Sequence, residues 1–455
     1  MLRRFLHSTV PKVVVVGGGP AGRVIVHSLF HAKKQFDVTL IKEEKVNANR
    51  CAIPYGIDQK KEVMKYSIPN SLITDFGAKL MVDTVSEIDR KSKVVRTMNG
   101  GDVPYDQLVI ATGSLPIVPP FDGMGPVPPK NLTTVRGLDD LQLLREFAPK
   151  SRKVVVIGGG YIGLEVAVTL KRLGLETSVV EMLPHVLLAT MEEEFALDIE
   201  RHVLENGINL HLGSKVVGFE RNGDLISGVK LGDGKILDAD LVVLSVGVKP
   251  NTFLADQTGL ATSPLGITVD DSMRSITDES IFAVGDCATK KSFVSKIPTR
   301  GEFGTNAVFM AKVAAMNILG KKDLFPGVLN ANVSTAFDYS FGSVGLTSRV
   351  AQDMGLPIVT GSSDVLDVYP MMEKPTPIRT KLVFNRDTQK LIGATVLRKR
   401  GRATSGNVDF YSMAIQMGAS LNDLILHQYA THPELAAKPS DNTVLFAAKD
   451  AMSKL

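Results

Sequence analysis

Of the two cysteines in this 455-residue chain, Cys51 stands in the stretch Asn49-Arg50-Cys51-Ala52-Ile53-Pro54-Tyr55-Gly56. It closely follows a glycine run, Gly17-Gly18-Gly19-Pro20-Ala21-Gly22, spaced as in a dinucleotide-binding turn. A thiol at that place could exchange electrons with the reactive ring of a bound cofactor. The run recurs as Gly158-Gly159-Gly160-Tyr161-Ile162-Gly163. Two such turns imply two dinucleotides, which suits a flavin and a nicotinamide passing electrons between them.

These residues need strands and helices to hold them. Residues 12–16 are β-branched and run into the first glycines, and residues 23–30 carry apolar side chains at helical spacing. Strand, glycine turn and helix is the context in which G-x-G-x-x-G holds a pyrophosphate. Gly17 permits the tight turn, Gly19 lets backbone approach the phosphates, Gly22 lets the helix pack on the strand, and the helix start presents N–H groups. The next strand, 38–41, should end in a carboxylate for the ribose hydroxyls. Lys42 holds that place and Glu43 follows, so either the strand end is displaced by one residue or the ribose is held differently. In the second copy, strand 153–157, a helix through Leu173 and strand 177–180 lead to Glu181, an acid in the expected place.

Between the copies, Val94-Val95-Arg96 and the Asn99-Gly100 turn make a hairpin, and 105–110 is a buried strand into Ala111-Thr112-Gly113. The second half repeats the device, with turns at Asn222-Gly223 and Asp233-Gly234 and a returning strand, 240–246, into Gly247. Residues 281–284 form one more strand, ending in Gly285-Asp286. Beyond 332 the pattern becomes strands with turns, then a helix near Met413. The expected fold is α/β, with two Rossmann-like dinucleotide-binding domains and a C-terminal α+β domain. The expected boundaries are 10–118 with 248–328 for the first, 119–247 for the second and 329–455 for the third.

Composition limits the alternatives. A chain of this length, 44% hydrophobic, can bury roughly three quarters of its unfolded surface. With 52 basic and 48 acidic residues the net charge is +4, too mild for a nucleic-acid partner. Two cysteines make no disulfide framework and have no zinc-site neighbours, which points to a reducing compartment such as the cytoplasm. No apolar run approaches the ~18 residues that span a bilayer, so no membrane partner is expected. Met1 to Lys12 holds Arg3, Arg4 and His7 and no acid, and reads as a basic tail or as a short presequence for an organelle matrix.

Taken together, these motifs resemble the single-cysteine branch of the pyridine nucleotide-disulfide oxidoreductases, which includes coenzyme A disulfide reductases, NADH oxidases and NADH peroxidases. The likeness extends through Gly247-Val248-Lys249-Pro250-Asn251 and into the C-terminal region, which corresponds to that family's dimerisation domain. It implies FAD on Gly17, Gly19 and Gly22, with Thr112 and Gly113 lining the adenine half and Asp286 on the ribityl chain, and Glu43, the acid after Lys42, is counted with the cofactor-binding residues. NAD would lie on Gly158, Gly160 and Gly163, with Gly247 counted among the binding residues. Tyr161 matches the residue covering the nicotinamide pocket, and Glu165 an acid near it. Glu181 would accept the 2′-hydroxyl and repel a 2′-phosphate, favouring NADH over NADPH.

The resemblance also makes Cys51 the redox cysteine of a Cys-x-x-Pro-Tyr pattern, a thiolate able to hold a sulfenate or mixed disulfide. Two-cysteine reductases need Cys-x4-Cys. Position 56 is Gly56, so the second sulfur must come from the substrate. Pro20 stands where the peroxidases carry a histidine, which disfavours peroxide. His432, in Tyr429-Ala430-Thr431-His432-Pro433, matches a partner-subunit acid-base histidine, but the glutamate that orients it is replaced by Ala437, leaving its role open. Cys287 reads as structural. The basic run Arg398-Lys399-Arg400-Gly401-Arg402 reads as a solvated loop or as a contact to a phosphorylated substrate. The implied activity is that of a homodimeric flavoprotein carrying electrons from NADH through FAD and Cys51 to a small disulfide, persulfide or polysulfide such as coenzyme A disulfide. The alternatives are an NADH oxidase that reduces oxygen and a reductase of a small electron-transfer protein.

Overall fold

Four consecutive valines, Val13 to Val16, are at most 5% exposed, as expected of a parallel strand covered on both faces. The computed structural model describes residues 10–32, 34–58, 60–399 and 404–455. These fall into two compact units. The first comprises the described residues up to Asn49 with Tyr66–Ile117 and Val248–Val328, and the second comprises Arg50–Lys65, Val118–Gly247 and Leu329–Leu455.

In the first unit a five-stranded parallel sheet runs in the order Ile281–Ala283, Gln107–Ile110, Lys12–Val16, Asp37–Lys42, Lys79–Val82. Helices Pro20–Phe30 and Gly304–Ile318 pack together. The expected hairpin is present, Val94–Thr97 pairing with Gly101–Pro104 and, on its other edge, with Val85–Asp89.

The second unit repeats this plan. Its parallel sheet runs Leu132–Thr133, Leu241–Leu244, Lys153–Ile157, Glu176–Val180, Asn209–His211, with an antiparallel three-stranded sheet, Val216–Asn222, Leu225–Leu231 and Ile236–Asp238, beside it in sequence. The C-terminal part is a five-stranded antiparallel sheet whose central strand is Leu391–Lys399. Helix Thr443–Met452 lies so close to strand Ile358–Leu366 that a Cβ on Gly361 would sit 1.8 Å from the Ala447 carbonyl oxygen.

The observed partition differs from the expected one in two respects. Residues 50–65, expected within the first domain, count with the second unit, where Arg145 and helix Tyr161–Arg172 hold them. The regions 119–247 and 329–455 belong to one unit, and buried polar links join them. Glu192, 3% exposed, pairs with Lys381, and Ser334 donates to Glu165.

Candidate dinucleotide and thiol sites

The two glycine turns share one geometry. Gly17 and Gly158 have φ of +118° and +108°, and a Cβ on either would lie within 2.3 Å of a carbonyl oxygen, that of Ala111 or Ser245. A Cβ on Gly22 or Gly163 would lie 2.0 Å from the carbonyl of Gly17 or Gly158. Backbone conformation and close packing explain these four glycines. Neither explains Gly19 and Gly160, whose φ values of −67° and −76° suit any residue and whose Cβ would meet no atom within 4 Å. The open space lies at the starts of helices Pro20–Phe30 and Tyr161–Arg172, where N–H groups attract phosphates, and this arrangement fits a dinucleotide at each turn.

The strand ends differ between the copies. Gly17 N donates to Ile41 O and Gly158 N to Val180 O, each at 2.8 Å, so Lys42 and Glu181 occupy equivalent places. Glu181 accepts from Gly159 N at 2.6 Å and from Leu183 N at 2.8 Å, which fixes its carboxylate beside the turn. Lys42 is 4% exposed and its ammonium donates to Asn70 Oδ1, Asn47 Oδ1 and Lys45 O. The strand end is therefore not displaced. Glu43, the acid expected near the ribose, is exposed, whereas Asn47 Oδ1 would lie 2.7 Å from a Cβ on Gly18. Asn47 and Asn70 were missed in the sequence because nothing in their spacing marks them.

Two further expected residues meet within the first unit. Thr112 Oγ1 donates to Asn251 O at 2.7 Å, and Gly113, with φ of +72°, accepts from Asn251 N, so the two family motifs are stitched together. Asp286 Oδ2 accepts from Ser114 Oγ at 2.7 Å, which orients its carboxylate. Gly247 has φ of +100° and ends a stretch of the second unit.

Cys51 is exposed on the short 3-10 turn Arg50–Ala52, just before the one-turn helix Ile53–Gly56. Arg145, on helix Leu138–Phe147, braces this segment by donating to Gly56 O through Nε at 2.8 Å and through Nη2, and to Lys61 O. Tyr55 lies beside Glu165, which accepts from Ser334 Oγ at 2.7 Å. Burial pushes the Glu165 carboxyl above the usual range, against the opposing effects of Ser334 and Tyr55. Tyr161 stacks on Phe341 with centroids 6.3 Å apart. Its hydroxyl is buried beside Thr190, Ser343 and Asn332 and makes no hydrogen bond of good geometry among the described residues, and burial raises its pKa.

His432 is exposed in the loop before helix Thr443–Met452. Its Nδ1 accepts from Glu434 N at 3.3 Å, a backbone contact to the ring, and Ala437 offers it no carboxylate. With Nδ1 accepting, the neutral ring carries its proton on Nε2. Cys287 is fully buried, donates to Ile110 O and Val284 O, and has its pKa raised by burial, as a structural thiol should. The basic run is not uniformly solvated. Arg398 pairs with Asp367 at 3.3 Å with both side chains largely covered, Lys399 ends its strand, and residues 400–402 lie outside the described residues, as do residues 1–9 of the basic N-terminal stretch. Among the described residues there is no metal-binding cluster and no helix long and apolar enough to cross a membrane.

Two glycine turns on two parallel sheets, with an exposed thiol held on a braced turn, define an oxidoreductase built for two dinucleotides. The comparisons agree. The family model described as pyridine nucleotide-disulphide oxidoreductase matches residues 11–311, and the corresponding dimerisation domain matches 333–442. The chain belongs to this family and is an FAD-dependent NAD(P)H oxidoreductase. It is 30% identical to an NADH oxidase of Methanocaldococcus jannaschii over 98% of this chain and 99% of that one. It is also 30% identical to an NAD(P)H coenzyme A polysulfide/persulfide reductase of Pyrococcus horikoshii, over 93% and 95%. A NAD-dependent persulfide reductase structure from A. fulgidus superposes with a TM-score of 0.88 at 30% identity, covering 97% of this chain and 83% of that one. The water-forming NADH oxidase of Lactobacillus brevis bound to NADH gives 0.89 at 25%, covering 98% of each.

Proposed function

We propose that this chain forms a homodimer that uses NADH to reduce a small disulfide, persulfide or polysulfide, such as coenzyme A disulfide, through Cys51. The observation that carries this reading is the contrast between the thiols: Cys51 is exposed and Cys287 is buried and hydrogen-bonded, so one protein sulfur is available for exchange. FAD held at the first glycine turn would supply the two-electron link between NADH and the acceptor. The Cys51 thiolate attacks one sulfur of the acceptor, the S–S bond breaks, and the other sulfur leaves as a thiolate or hydrosulfide. Two electrons, which come from NADH, and a proton then return the mixed disulfide to the Cys51 thiolate and a second thiol. Arg145 holds the segment that presents Cys51, and the Tyr55–Glu165–Ser334 contacts tie it to the helix of the second glycine turn.

A second reading is favoured by the M. jannaschii relative, whose 30% identity spans nearly both chains. In it the chain is an NADH oxidase whose acceptor is oxygen. Anaerobic reduction with NADH, followed by re-oxidation with disulfides, polysulfide, peroxide or oxygen, separates the two. Cys51→Ser should lower turnover with disulfides and persulfides by roughly 100-fold or more, because it removes the nucleophile, while reduction by NADH stays within a few-fold. Unchanged turnover of the variant with every acceptor would overturn the disulfide reading and leave oxygen.

A further inference from the structure

The two dinucleotide turns are opposite in charge where the adenosine ribose would lie. At the second turn, Glu181 fixes a carboxylate against Gly159 N. At the first, the equivalent Lys42 presents an ammonium held at 2.7 Å by Asn70 Oδ1, at 2.9 Å by Asn47 Oδ1 and at 3.3 Å by Lys45 O. Asn47 donates in turn to Glu44 Oε2 at 2.6 Å, and Asn70 to Lys45 O at 3.2 Å. A second cation, Arg23, lies close enough to act on Lys42, its Nε 3.5 Å from Gly19 O. The charges facing Lys42 are therefore Arg23 and Glu44.

We propose that Lys42, with Asn47 and Asn70, forms a cationic adenosine-ribose subsite that tolerates a 2′-phosphorylated ribose, the group that the Glu181 site rejects. A ribose diol can accept from the Lys42 ammonium in place of Lys45 O and donate to Asn47 Oδ1, so the subsite satisfies FAD without a carboxylate. A 2′-phosphate would replace the longest of the three ammonium contacts, that to Lys45 O, by a charge-assisted one. The inference rests on the reading that the first turn takes FAD.

The test uses the full-length chain stripped of flavin and titrated back with FAD, with uptake followed by flavin fluorescence in the presence of ADP-ribose or 2′-phospho-ADP-ribose. Because only FAD is observed, binding of either competitor at the second turn does not register. The phosphorylated competitor should displace FAD at least as well as ADP-ribose does, and Lys42→Glu should shift that ratio tenfold or more towards ADP-ribose. If the Lys42→Glu chain does not fold, Lys42→Met should shift it in the same direction by about threefold, since a missing cation costs less than a reversed one. Preference of the unmodified chain for ADP-ribose, or a ratio that the Lys42 variants do not move, overturns the proposal. A folded chain that takes up no FAD overturns instead the reading on which it rests.

Discussion

A glycine with an ordinary φ and empty space beside it is unexplained by the protein alone, since alanine there would cost no strain and would lower the entropy of the unfolded chain. Gly19 and Gly160 are such residues, and the space they leave would let a pyrophosphate approach backbone. Selectivity between cofactors would then fall to single side chains at the strand ends. Glu181, pinned by Gly159 N and Leu183 N, cannot swing away from a 2′-phosphate, so two like charges would be held in contact. NADH should accordingly have the higher kcat/KM, and Glu181→Ala should reduce its advantage over NADPH by about tenfold, or ~1.4 kcal/mol. Steady-state kinetics with both nucleotides check this. Equal values in the unmodified enzyme would contradict it.

Short elements are held by contacts from outside themselves. The one-turn helix Ile53–Gly56 is far too short to be stable alone, and Arg145, reaching from helix Leu138–Phe147, supplies the hydrogen bonds that hold its carboxyl end. The hairpin of the first unit depends in the same way on Asp83, which accepts from Asn99 N, Asn99 Nδ2, Gly100 N and Thr84 N. Burial works to raise the Asp83 carboxyl, but the hydrogen bonds of Asn99, Thr84 and Thr97 together bring it down to about 2 from 3.8. A depressed folded pKa stabilises the protein above the unfolded value, and this contribution is lost as pH falls from about 4 through about 2. Asp83→Asn should therefore be less stable than the parent at pH 7, and the gap should narrow below pH 4. Denaturant midpoints at pH 7 and pH 3 measure it, and a gap independent of pH would show that the charge is not involved.

At the level of the assembly, the dimerisation-domain match over residues 333–442 places His432 in the part of the chain expected to meet a second copy. Its loop is held by Tyr369 N donating to Pro433 O, and its ring by Glu434 N, so an imidazole nitrogen is presented on an ordered surface. If His432 serves the Cys51 of the other subunit, His432→Ala should slow disulfide reduction by ~10- to 100-fold, below or at the low end of general acid-base contributions. Heterodimers of a Cys51→Ser subunit with a His432→Ala subunit retain one complete composite site and should exceed the His432→Ala homodimer. Equal activity in the two would exclude a role across the interface.

Much of the fold was legible in the sequence because its signals are local. Glycine spacing, β-branched runs and Asn-Gly turns constrain the residues that carry them, and both parallel sheets and the hairpin Val94–Thr97 with Gly101–Pro104 follow from those patterns. The family and its cofactors were legible for the same reason, as both glycine turns are contiguous. What the sequence by itself could not determine was which distant side chains complete each site. Lys42 bonds Asn70 across 28 residues, Arg145 bonds Gly56 across 89, Thr112 bonds Asn251 across 139, and Ser334 bonds Glu165 across 169. Such pairs leave no periodicity, because a hydrogen bond requires only that two groups meet in space. Lys42 shows the difference most plainly. Its place at the strand end was readable, but only the backbone bond of Gly17 N to Ile41 O showed that the strand is in register, and only the packing of Asn47, Asn70 and Lys45 around its ammonium showed a cation fixed where the second copy has an acid.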